Sequence, residues 1–227
     1  MRYLPHVTNA TAARRWHLLT AVVVVAALLL QLVLVVEGGR VLDDQQPPGL
    51  GVRLGRLVSY FTIQSNLLVA VAAITLARDP SYDGRWWRTV RLAGLVGITV
   101  TGLVHFVLLR PLIDLSGWDW AADKLLHMVV PVLAVVGWLL FGPRSRVSLV
   151  EVRRAIAWPV AWLLWTLAVG ALTGWYPYPF LDVEAEGWAR VLAAAGMVTL
   201  LFLALFAAAY RLDRRSRPAP SWPSVST

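Results

Sequence analysis

The chain has no cysteine. That excludes disulfides, thiolate nucleophiles and cysteine metal sites. Charge is scarce, at 15% of 227 residues, and Lys124 is the sole lysine among 21 basic residues. So strong a preference for arginine points to a GC-rich bacterial genome. There is no His-Glu-x-x-His pattern, and no Asp or Glu is expected inside the apolar runs, so neither a metal nor another cofactor is expected. What the chain has in abundance is apolar: 58% of its residues are hydrophobic and the mean hydropathy is +0.64.

Apolar runs long enough to cross a hydrocarbon core roughly 30 Å thick recur along the whole length. The expected fold is all-α, a polytopic six-helix transmembrane bundle. The spans fall at about 16–36, 57–77, 90–109, 124–141, 155–172 and 189–210, forming one membrane domain over residues 1–212. Residues 213–227, rich in Pro and Ser after an arginine cluster, are expected to be a disordered cytoplasmic tail. The first apolar run is longer than a signal-peptide core and no small-x-small cleavage site follows it, so an uncleaved first helix is expected.

The net charge of +8 does not imply nucleic acid, because the arginines gather in short loops beside apolar runs. Arg2, Arg14 and Arg15 precede span one. Arg78, Arg85, Arg88 and Arg91 follow span two. Arg144, Arg146, Arg153 and Arg154 follow span four, and Arg211, Arg214, Arg215 and Arg217 follow span six. The other side carries only Arg40, Arg53, Arg56, Arg110, Lys124 and Arg190. The positive-inside rule then puts both termini in the cytoplasm of a multi-pass cell-membrane protein, here a bacterial plasma membrane. The expected partners are membrane lipids and a lipid or small amphipathic substrate.

Span two opens with a polar run, Phe61-Thr62-Ile63-Gln64-Ser65-Asn66-Leu67. Thr62, Ser65 and Asn66 share one helix face at i, i+3 and i+4, while Gln64 points elsewhere. Such side chains often bond between membrane helices or back to the preceding turn. They also serve as ligand-binding or reactive groups. The topology decides which other residues share their depth. Thr62 lies about one turn, roughly 5–8 Å, below the outer surface. His127 enters at a similar depth, His105 leaves at it, and the loop Trp175-Tyr176-Pro177-Tyr178-Pro179-Phe180-Leu181-Asp182 is delivered to the same side. Each has a structural alternative: His127 as an interfacial side chain, His105 as a helix-packing residue, Tyr-Pro-Tyr-Pro as a rigid aromatic turn. Intramembrane ionisable residues are nonetheless functional candidates.

Without cysteine, a hydroxyl nucleophile needs a base within hydrogen-bond reach. Thr62 and His127 match best in depth. His127 would act as general base, and Asn66, Gln64 or Ser65 could stabilise an oxyanion. His105, Tyr176, Tyr178 and Asp182 complete the candidate substrate-binding set.

The polar run, together with Leu126-His127-Met128-Val129-Val130-Pro131 and Tyr178-Pro179-Phe180-Leu181-Asp182, resembles a bacterial family of six-span integral membrane proteins called "Pr-six-Pr". It is similar, more distantly, to the eukaryotic androgen-induced membrane protein family, whose members hydrolyse fatty acid esters of hydroxy fatty acids with an intramembrane threonine and a histidine. The resemblance implies a hydrolase of a lipid ester, with Thr62 as the threonine and His127 as the histidine. It departs from the eukaryotic pattern, which has Asn-His-x-x-His where this chain has Asp123-Lys124-Leu125-Leu126-His127. The alternative is a non-catalytic lipid or small-molecule binding or transport protein that uses the same polar cavity.

Overall fold

The computed structural model describes residues 10–38, 48–143 and 147–215. The leading Arg2, the acidic and glutamine-rich residues 43–47, Arg144, Arg146 and the tail from residue 216 lie outside these. All regular structure among the described residues is helical: α1 (Ala10–Glu37), α2 (Leu50–Ser59), α3 (Phe61–Arg78), α4 (Arg85–Val104), α5 (Gly117–Lys124), α6 (Val130–Phe141), α7 (Leu149–Thr173), α8 (Val183–Glu186) and α9 (Trp188–Arg215). Short π-helical turns at His105–Leu109 and Leu125–Val129 extend α4 and join α5 to α6. Six helical stretches are long and apolar enough to cross a membrane. The protein is a multi-pass helical bundle.

α4 is the central helix, packed against α3, α6, α7 and α9. Its small residues make that possible. A Cβ added at Gly94 would lie 3.1 Å from Leu68, one at Gly97 would meet the Trp158 ring at 2.7 Å, and one at Gly102 would sit 3.1 Å from the His127 carbonyl. In lipid there is no hydrophobic drive between helices, so this close approach and the dispersion it brings hold the bundle together. α7 starts at a capping box, with the Ser148 hydroxyl and Glu151 carboxylate bonded to each other and to the first backbone N–H groups. It ends at Gly174, whose φ of +70° terminates the helix in the left-handed region.

Most spans start several residues from the expected positions, and three differences bear on the site or on the tail. Span two is not one helix. α2 and α3 are separated at Tyr60, whose φ and ψ of −66° and 128° are extended. Span four begins at Gly117, not Lys124, because α5 runs through the π turn into α6. Asp123, expected in a loop, is therefore a buried residue inside a span. α9 continues to Arg215, past the expected start of the tail. Asp213 is buried, and its carboxylate accepts from the Val147 N–H at 2.8 Å, which fastens the last turn to the start of α7.

The arginine-rich ends lie together. Arg14 donates to the Arg78 carbonyl, and Arg91 donates to the carbonyls of Gly142 and Pro143. Chain direction places the N-terminus of α3, the C-terminus of α4, the N-terminal part of the fourth span and the loop after α7 at the opposite end.

Candidate catalytic site

Prolines prepare both histidines. Pro131 stands four residues after His127, so it has no N–H for the His127 carbonyl and its ring crowds that carbonyl. The backbone widens: the Val130 N–H bonds to Leu125 rather than Leu126. That leaves the Leu126 carbonyl without its usual helical donor, and the Asn66 side-chain amide reaches it at 3.4 Å while also donating to the Thr62 carbonyl at 2.8 Å. Asn66 thus brackets the turn of Thr62 to the turn of His127. At the end of α4 the Arg110 N–H bonds to the His105 carbonyl across a second π turn, just before Pro111. π turns are rare and recur at functional sites.

The break at Tyr60 sets the position of Thr62. In the first turn of α3 the Ile63 and Gln64 N–H groups bond to the Tyr60 carbonyl, and the Thr62 N–H is left to a side chain. It donates to the Tyr178 hydroxyl at 3.3 Å. The loop after α7 turns back into the bundle to bring that hydroxyl there. Tyr178 is buried among Tyr60, Trp162 and Phe180, with ring centroids 5.7, 5.9 and 5.4 Å away. Burial pushes its phenol above the ordinary value of 10.0, so it stays protonated.

Thr62 Oγ1 lies 3.2 Å from His127 Nε2 and 3.3 Å from the Tyr178 hydroxyl. On the far side of the ring, His127 Nδ1 lies 3.0 Å from both the carboxylate Oδ1 and the backbone carbonyl of Asp123. Both neighbours of Nδ1 are acceptors, so Nδ1 carries the proton and Nε2 presents its lone pair to Thr62. The hydrogen bonds then run one way: the Tyr178 O–H donates to Thr62 Oγ1, the Thr62 O–H donates to His127 Nε2, and the His127 Nδ1–H donates to Asp123. Lys124 Nζ holds the other Asp123 oxygen at 2.8 Å, compensating a carboxylate that is buried in the bundle.

His105 stacks face to face on His127 at a centroid distance of 4.0 Å. Its Nε2 approaches Asp123 Oδ1 at 3.4 Å, yet it is buried without a hydrogen-bond partner. His105, Asp123 and His127 each offer one ligand atom, all within 4.8 Å of one another. By donor type the set suits a divalent ion such as zinc. The Lys124 ammonium pairs with the same carboxylate, and His127 Nδ1 faces two acceptors on Asp123.

The remaining expected residues lie elsewhere. The Gln64 amide donates to the Val58 carbonyl and accepts from Trp158 Nε1. The Ser65 hydroxyl accepts from Thr101 at 3.4 Å. Neither lines a cavity beside Thr62, and Asn66 spends its amide on the bracket already described. Tyr176 packs on Gly170. Asp182 caps α8, accepting from the N–H groups of Glu184 and Ala185. Asp123 is the residue the sequence reading passed over. Its signal was there: it precedes His127 by four residues, the spacing that puts both on one helix face.

Two cavities meet at Thr62, and Leu109 and Tyr178 also line both. The larger, about 870 Å³ to its mouth, lies among α3, α4, α7 and α9, and no charged residue lines it. The smaller, about 730 Å³, is lined by Gln31, Tyr60, His105, Asp119, Asp123 and His127 among others. No protein-family model, curated protein or solved structure matches the chain. Fold and composition define a multi-pass α-helical membrane protein, and the function has to be argued from the site itself.

Proposed function

We propose that the protein is a membrane-embedded hydrolase of fatty acyl esters, with Thr62 as nucleophile, His127 as general base and acid, and Asp123 as the group that orients His127. The observation that carries this reading is the relay from Thr62 Oγ1 through His127 Nε2 and Nδ1 to Asp123. This is the nucleophile–base–orienter arrangement that defines hydroxyl-based acyl transfer on unrelated folds. Fold alone carries no function. The resemblance to intramembrane threonine hydrolases supports the same assignment of Thr62 and His127. The arginine distribution supports a bacterial plasma-membrane location with the site at the outer leaflet and both termini in the cytoplasm.

The chemistry follows from the protons. Thr62 Oγ1 attacks the ester carbonyl carbon as its proton passes to His127 Nε2. The imidazolium is stabilised by Asp123. The carbon–oxygen bond to the leaving alcohol breaks, and His127 returns the proton to that oxygen. Water, deprotonated by His127, then attacks the Thr62 ester, the carbonyl carbon–Oγ1 bond breaks to release the fatty acid, and His127 returns the proton to Thr62 Oγ1. The Tyr178 hydroxyl, which donates to Thr62 Oγ1 at the positive end of α3, would turn to the developing oxyanion as the acyl group is taken up. His105 supports the His127 ring from its face.

With the purified full chain and a long-chain fluorogenic ester, Thr62→Ala and His127→Ala are expected to lower kcat/KM by about 10³-fold or more, while Thr62→Ser retains activity. Unchanged thermal unfolding of the alanine variants would show that the loss is chemical. Full activity in either alanine variant contradicts the mechanism and leaves a binding or transport protein as the better description.

A further inference from the structure

Thr62 stands in the wall between two cavities, one with no charged lining residue and one in which Gln31, His105, Asp119, Asp123 and His127 stand beside aliphatic walls of Leu57, Ile63 and Leu126, and an ester cleaved there has one half in each. Resting on the hydrolase reading, we infer that the substrate is a single-chain acyl ester of a small, neutral, hydroxyl-bearing alcohol. Its acyl chain occupies the larger cavity and its alcohol the smaller.

The larger cavity takes the aliphatic half. Phe61, Val160, Phe202 and Leu203 are among its lining. Val160 on α7 and Leu203 on α9 are 51% and 47% exposed, which on membrane-spanning helices means exposed to acyl chains. The cavity therefore opens sideways between α7 and α9. A chain arriving from the bilayer passes between these helices and reaches Thr62 without crossing water, and the hydroxyls along the way, those of Thr199 and Thr101, already donate to the Ala195 carbonyl and to Ser65. A charged or heavily hydroxylated moiety there would lose its hydration without compensation.

The smaller cavity takes the other half. Its walls supply Gln31 from α1, the Tyr60 ring and the carboxylate of Asp119, and among the described residues no lysine or arginine lines it. Asp123 is compensated by Lys124. Asp119 is half-buried in the first turn of α5 and leaves the cavity with an acidic wall. A leaving group with hydroxyls can donate to Asp119 and exchange hydrogen bonds with Gln31. A leaving group with a carboxylate or phosphate would face like charge, and a long apolar one would strand these polar groups. Cleavage is balanced as before: the ester takes up one water and yields a fatty acid and the free alcohol.

The test is a matched pair of esters presented to the purified full chain in the same mixed micelles. Monopalmitoylglycerol has a neutral leaving group. Palmitoylglycerate differs only in having a carboxylate where the former has a terminal hydroxymethyl group. The expected result is a kcat/KM about tenfold or more in favour of the glycerol ester, a difference of about 1.4 kcal/mol or more. Asp119→Lys should collapse or invert that ratio. Equal cleavage of the two, or faster cleavage of the glycerate, overturns the assignment of the smaller cavity while leaving the hydrolase standing. Cleavage of neither, nor of the fluorogenic ester, overturns the hydrolase reading and this inference with it.

Discussion

Asp123 and Thr62 show two ways for a residue to declare itself. Thr62 is legible because it interrupts an apolar run, and His127 because an ionisable group inside a span is costly and needs a reason. Asp123 lies in a stretch with Trp118, Asp119 and Trp120 that reads as a loop, and only the helical continuity from α5 into α6 shows that it turns toward His127. Its role sets a sharp expectation. In Asp123→Asn the amide cannot be relied on to hold the proton on Nδ1, and kcat should fall by about 10²–10⁴-fold. A pH–rate profile of the residual activity checks that His127 still titrates. Retained kcat would mean the backbone carbonyl at 3.0 Å suffices to fix the ring. Tyr178→Phe removes the neutral donor beside Thr62 and should cost about tenfold to 10³-fold in kcat. Because burial raises the Tyr178 phenol above 10.0, its protonated form persists as pH rises to that value. Any alkaline loss that traces to this residue should therefore come above the range of an ordinary tyrosine, and comparison of the wild-type and Tyr178→Phe profiles decides it.

At the scale of helices, the sequence carries glycines on α4 at Gly97 and Gly102, where Trp158 and the π turn of His127 press in. What it did not convey is the break at Tyr60 or the π turns, since both depend on where backbone donors go rather than on hydropathy. The prolines after each histidine were the readable trace of the second. The polar run of Gln64, Ser65 and Asn66 also divides by packing. Gln64 ties α3 to Trp158, Ser65 meets Thr101, and Asn66 joins the turns of Thr62 and His127. Gly97→Ala forces a Cβ to within 2.7 Å of Trp158 and should destabilise by about 1–3 kcal/mol, read as a lowered thermal midpoint in detergent. Asn66→Ala should leave the fold assembled but lower kcat more than it raises KM, because it loosens the alignment of nucleophile and base. A change in KM alone would make Asn66 a substrate contact instead.

For the molecule as a whole, the number of spans and the all-helical class follow from hydropathy and length, which in a bilayer leave the backbone few alternatives. The gathering of Thr62, His105, His127 and Tyr178 at one end follows from alternating chain direction, and it places them opposite the arginine-rich end. If that arginine-rich end faces the cytoplasm, a cysteine introduced at Asp182 in this cysteine-free chain should react with a membrane-impermeant maleimide in intact cells. One introduced at Asp83 should not. The reverse pattern would turn the site inward. Since His105, Asp123 and His127 could hold an ion by donor type, a zinc chelator is a second test of the whole site. The triad requires activity to survive it, and loss restored by zinc would replace Thr62 with a metal-bound water as the nucleophile.

The measurement that bears most directly on Thr62 is peptide mass spectrometry of the full chain after reaction with a long-chain fluorophosphonate. A nucleophile activated by His127 requires an adduct on Thr62 that is absent from His127→Ala. No adduct, or one on Ser59 or Ser65 instead, would contradict the assignment of Thr62 as the residue that takes the acyl group.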